Sequence, residues 1–155
     1  MAETDLTKLA SILPDRGCLL GIDLGSKTIG LAISDPNWVI ASPLETIRRS
    51  KFAKDLMTLN RIITDRRISA LVLGLPVSMD GTEGPRCQST RQFARNVLQQ
   101  VDIPIAFWDE RLSTSAIQRL LISEADMTRK RRAEVVDKMA AAYILQGAID
   151  MVSRR

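Results

Sequence analysis

Three of the 18 acidic residues, Asp23, Glu110 and Asp137, stand inside apolar patterns rather than on solvated stretches. Asp23 interrupts the run "LLGIDL", Glu110 closes "IPIAFWDE", and Asp137 shares helical spacing with Ala140, Ala141 and Ile144. An unpartnered buried carboxylate is costly, so each needs a cation, a hydrogen-bond donor or a raised pKa. One reading gives them three separate salt bridges with some of the 22 lysines and arginines. The other brings them together on a divalent metal. The chain has no histidine, which removes Ser-His-Asp and Cys-His catalysis, histidine bases and histidine-ligated zinc. Oxygen-only ligands suit Mg²⁺ or Mn²⁺. Periodicity does not decide between the two.

The elements that must carry these acids follow from apolar periodicity and turn signals. Residues 18 to 24 read as a strand, turned at Gly25, Ser26 and Lys27 into a second near 28 to 34, and "WVIASPLETI" suggests a third. Helical spacing of Phe52, Leu56, Leu59, Ile62 and Ile63 predicts a helix over about 51 to 67. "ALVLGLP" is a short buried strand stopped by Pro76, and 86 to 101 is a helix started by Gly84 and Pro85. A strand over 103 to 110 puts Glu110 at its carboxyl end, where open α/β sheets usually take ligands. Leu112, Ala116, Ile117, Leu120 and Leu121 mark a helix with Ser113 as N-cap. The last helix, about 133 to 152, shows Val136, Met139, Ala140, Tyr143, Ile144, Gly147 and Ala148 as its stripe. Three linked strands imply an antiparallel meander, and the strand-helix-strand units imply parallel pairing, giving a mixed sheet covered by helices.

At 155 residues the chain has the length of one domain, 1–155, with 1–17 as an N-terminal extension. Neither a membrane span nor a secretion signal is recognisable, which points to the cytoplasm. Cys18 and Cys87 match no metal-ligand spacing and read as reduced thiols. The net charge of +4 fits a polyanion partner, and the basic residues cluster, as at Arg48, Arg49 and Lys51 and at Arg129 to Arg132. Aromatics make up only 4%, which does not support a base-stacking platform.

Four segments, "GIDLGSKTIGLAISDP", "GLPVSMDGTEGPRCQ", "DERLST" and "VVDKMAAAYILQ", resemble in order and spacing the bacterial YqgF/RuvX family. The resemblance spans roughly Cys18 to Val152. It implies a ribonuclease H-like α/β fold: a mixed five-stranded sheet, with a three-strand antiparallel meander plus two parallel strands, flanked by helices. It further implies a nuclease maturing the precursor of 16S rRNA in ribosome biogenesis, although the family has also been described as Holliday-junction-resolvase-like. Asp23 corresponds to the first-strand acid, Glu110 to the Glu of the Asp-Glu-Arg motif, and Asp137 to the acid of the final helix. All three would be catalytic metal ligands, for Mg²⁺ or Mn²⁺ as a pair of ions about 4 Å apart, with Asp23 bridging.

Lys27, Ser78, Arg86 and Arg111 are the expected substrate contacts. Ser78 departs from the family, which more often has an Asn-like residue there. Lys27 could touch the substrate but fits a turn-solvating role better, Arg111 could pair with Asp109 or Glu110, and the loop "GLPVSMDGTEGPR" could either hold a phosphate or merely connect. Asp35, Asp80 and Asp109 fit turn or strand-end roles better than metal ligation. The expected partner is pre-rRNA, with structured DNA as the alternative and no membrane, and the chain acting as monomer or homodimer. Two other readings are a Holliday junction resolvase and a non-catalytic nucleic-acid-binding module. An actin-like ATPase would need two such domains, and the length allows one.

Overall fold

The computed structural model describes residues 3–13, 16–112 and 129–153. Five strands form one sheet: β1 (Cys18–Leu24), β2 (Thr28–Ser34), β3 (Ala41–Arg48), β4 (Ile68–Leu75) and β5 (Ile105–Asp109), in the order β3-β2-β1-β4-β5. β1, β2 and β3 pair antiparallel, whereas β4 and β5 run parallel to β1. The mixed sheet is the expected one, with β1 and its Asp23 at the centre. The described helices are α1 (Leu9–Ile12), α2 (Phe52–Asp65), α3 (Pro85–Leu98) and α4 (Arg129–Ser153).

Strand alternation sorts the core into two layers. Leu20, Ile22, Leu24, Ile29, Leu31, Leu71, Leu73 and Ile105 meet α2 and α3, where Phe52 and Phe93 cross edge-to-face at 5.8 Å. Leu19, Ala32, Ala70, Val72, Ala106 and Trp108 meet α1 and α4 on the opposite side. The second face is built from smaller residues, so α4 lies close to the strands. A Cβ on Gly21 would come within 2.8 Å of Leu145 Cβ and 3.0 Å of the Ala141 carbonyl oxygen.

The structure corrects the phase predicted for the last helix. The buried stripe of α4 is Ala141, Ile144, Leu145, Ala148, Ile149 and Val152. Met139 and Tyr143 are half-buried instead, lining a groove with Ala41 and Pro43 of β3. Apolar residues occur on more than one side of α4, so periodicity alone could not fix the face. Contact with the small residues of the sheet does.

The third strand begins later than the apolar run suggests, because residues 35–40 form a turn. Asp35 accepts hydrogen bonds from the backbone N–H groups of Asn37, Val39 and Ile40 at 3.1, 2.7 and 2.8 Å. Trp38 adopts φ 59° there and buries its ring, with its indole N–H donating to the Gly17 carbonyl at 2.7 Å. Part of the N-terminal segment is integral to the packing. Thr4 N–H donates to the Ile105 carbonyl at 2.8 Å, and Leu6 and Leu9 are buried against the α4 layer. Cys18 and Cys87 are free thiols. The predicted helix capped by Ser113 lies outside the described residues, as do the side chains of Arg129 to Arg132. Among the described residues no helix is long and apolar enough to cross a membrane.

Candidate active site

Asp23 sits at the carboxyl end of the central strand, on the α4 side, in register with Gly30 of β2. Gly30 has no side chain to hold α4 away, and a Cβ there would collide with the Asp137 carbonyl. That vacancy brings the α4 backbone onto β2 at the residue that carries the third acid. Asp137 lies one turn before Ala141 on the buried stripe, and its Oδ2 accepts a hydrogen bond from the Thr28 hydroxyl at 2.5 Å.

Glu110 opens a 3-10 turn (Glu110–Leu112) directly after β5. Gly74 of β4, in register with Trp108, leaves the space its carboxylate enters, since a Cβ on Gly74 would lie 2.5 Å from Glu110 Oε1. The Asp23 and Glu110 side chains are hydrogen-bonded to each other. Two ionised carboxylates cannot share a hydrogen bond, so the contact favours a proton between them below about pH 7. Burial, the charge of Asp23 and their mutual hydrogen bond push Glu110 up to about 7, which makes it the proton's holder. Burial also raises Asp23; the bond from Glu110 opposes this rise, Asp137 adds to it, and Arg86 offsets it.

The expected triad is therefore drawn together unevenly. Asp23 and Glu110 touch, and Asp137 is near enough to act on Asp23 electrostatically but is turned to Thr28. Among the described residues no group of three or more His, Cys, Asp or Glu stands arranged as a metal-ligand set. The donor chemistry of the pair nonetheless fits a hard divalent cation: all the donors are oxygens, and a positive charge in place of the shared proton lets both acids ionise below about pH 7.

Beside the acids opens a cleft of about 910 Å³, lined by Leu24 to Thr28, Arg49, Arg86, Ser89, Thr90 and Asp137. Of the expected substrate contacts, Lys27 and Arg86 line it. Ser78 and Arg111 do not. Ser78 is exposed in a tight loop closed by its own hydrogen bonds, Ser78 N–H to the Thr82 carbonyl at 3.0 Å and Gly81 N–H to the Ser78 carbonyl at 2.8 Å. Arg111 is held by Asp109, with Nε 2.9 Å and Nη2 2.5 Å from Asp109 Oδ2. Asp80 accepts from Thr82 N–H and hydroxyl at 3.0 and 2.7 Å, so Asp35, Asp80 and Asp109 all serve turns or strand ends. Sequence reasoning missed Thr28 and Gly74. The signals available were a glycine inside an apolar strand, and a threonine two residues from Gly30 and hence on the same face.

A central strand acid, an acid following the last parallel strand and a helical acid above them, on a β3-β2-β1-β4-β5 sheet, are the arrangement of a ribonuclease H-like protein. The Thermus thermophilus RuvC protein, solved in complex with a Holliday junction, shares this fold with TM-score 0.54 and 13% identity, over 87% of this chain and 94% of that one. The family model for RuvX, described as Holliday junction resolvase, matches residues 17–151, and the chain belongs to that family. A relative from Phenylobacterium zucineum is 60% identical over 97% of both chains. Another, from Rhodospirillum centenum, is 61% identical over 97% of this chain and 82% of its own. Both carry the name "Putative pre-16S rRNA nuclease".

Proposed function

We propose that the chain is a single-domain cytoplasmic nuclease that hydrolyses phosphodiester bonds in the precursor of 16S rRNA, with Mg²⁺ or Mn²⁺ held by Asp23, Glu110 and Asp137. The observation that carries the reading is the contact of Asp23 with Glu110 beside a basic cleft. The relatives' name supplies the substrate. Bound divalent ions would supply Lewis-acid stabilisation of the phosphate and lower the pKa of the attacking water. Asp23 and Glu110 give up their shared proton and present two carboxylates, while Thr28 steadies Asp137 at Oδ2. Arg86, whose positive field reaches both acids, faces the phosphate and offsets charge around it. With no histidine in the chain, no imidazole base takes part.

A DNA junction is the second reading, favoured by the description of the family model. Both substrates present the same phosphates, so chemistry alone does not separate them. Cleavage of a 16S precursor fragment and of a four-way DNA junction by wild type and Glu110→Gln tests both. The expected result is cleavage of the RNA, slowed by about 10²-fold or more in the variant. Cleavage of the junction alone supports the second reading. Binding of either with cleavage of neither overturns both in favour of a binding module.

A further inference from the structure

The cleft has a wall that the acids do not use. Lys27 of the β1–β2 turn, Arg49 just past β3 and Arg86 in the first turn of α3 line it with Ser26 and Ser89, and Asp137 is the acid among its lining residues. No aromatic side chain is among them. Such a surface attracts a polyanion but offers no face for stacking bases.

Arg49 is tied to the β1–β2 turn by two hydrogen bonds. Its backbone N–H donates to the Lys27 carbonyl at 2.9 Å, and its Nη1 donates to the Gly25 carbonyl at 2.6 Å. Turn and guanidinium are thus one unit, and the planar fork carries five donors, of which this bond uses one. Fixing a long side chain in advance lowers the ordering cost of binding. Gly25 is two residues beyond Asp23, roughly 7 Å along the strand direction, so a phosphate held at this turn is a neighbour of one held at the acids.

We propose that Arg49 is a substrate-binding residue which, with Lys27 and Ser89, holds a backbone phosphate next to the scissile one and does so without regard to base sequence. The inference rests on the nuclease reading and deepens it by assigning how the strand is gripped. Its test is binding, with cleavage suppressed by chelator. A fluorescein-labelled RNA of about 20 nucleotides and a base-scrambled version are titrated over a salt series with wild type, Arg49→Gln and Arg49→Lys.

Wild type is expected to bind both RNAs alike. Arg49→Gln is expected to weaken both equally and to reduce the slope of log K against log salt by about 0.7–0.9, the loss of one phosphate contact. Arg49→Lys, which keeps the charge, is expected to retain the slope. A purely structural brace would instead lower the thermal midpoint and leave the slope alone. An unchanged slope in Arg49→Gln, or a slope that Arg49→Lys does not retain, overturns the proposal while the nuclease reading stands. A wild type that binds neither RNA overturns both.

Discussion

Two acidic regions among the described residues, the buried Asp55 and the half-buried Asp23–Glu110 pair, are satisfied in opposite ways. Asp55, in the first turn of α2, is 6% exposed. Its carboxylate accepts the Ser50 N–H at 3.1 Å on each oxygen and the Ser50 hydroxyl at 3.0 Å. These are donors supplied by the chain just before the helix, close to a capping arrangement. Asp23 and Glu110 have each other, and a second acid is a poor partner unless a proton or a cation joins them. Burial alone therefore does not mark a site; the identity of the partner does. Asp55 finishes a helix end, whereas the central pair keeps a place for positive charge.

Substitution can break this contrast. The largest effect is expected at Asp23→Asn, with cleavage reduced by about 10²–10³-fold or more and the fold retained, since the amide fills the same volume and its oxygen can still accept the hydrogen bond from Glu110. Comparison of cleavage rate with thermal midpoint checks it; a fully active variant would show that the pair is not the reactive centre. Gly30→Ala comes next. Its methyl would strike the Asp137 backbone, displacing α4 at a cost of about 1–3 kcal/mol and lowering activity together with stability. Denaturant unfolding and cleavage should fall in parallel. Asp55→Ala should be the mildest for function: about 1–2 kcal/mol of stability lost by unfolding measurements, with cleavage per folded molecule unchanged. Loss of cleavage in that variant would erase the distinction between the two acidic regions.

The strands and their mixed pairing were legible because each strand was bounded by turn chemistry and the meander needs only short links. Asp23 and Glu110 were legible because an acid among apolar neighbours breaks a pattern. Asp55 was not, since it opens a helix whose first turn ordinarily holds solvated acids, and its burial depends on Ser50 folding back. The face of α4 was misread because Met139 and Tyr143 look like core residues, whereas the strands beneath are lined by glycine and alanine and select Ala141, Leu145 and Ala148. Gly30 and Gly74 show the same limit: what a glycine leaves room for is set by the element that arrives from elsewhere in the chain.

The shared proton gives the most direct test. Glu110 has an ordinary value of 4.5 and is raised to about 7, so between these values the folded chain holds a proton that the unfolded chain has lost. The stability this group contributes is full below that interval and is lost as pH rises through about 7; cation affinity must rise over the same range. Calorimetric titration of Mn²⁺ at about pH 6.5, in two buffers of different ionisation enthalpy, counts the protons released. The account predicts close to one proton per binding event in wild type and its loss in Glu110→Gln. Cation binding with no proton release, or equal release from the variant, would contradict it.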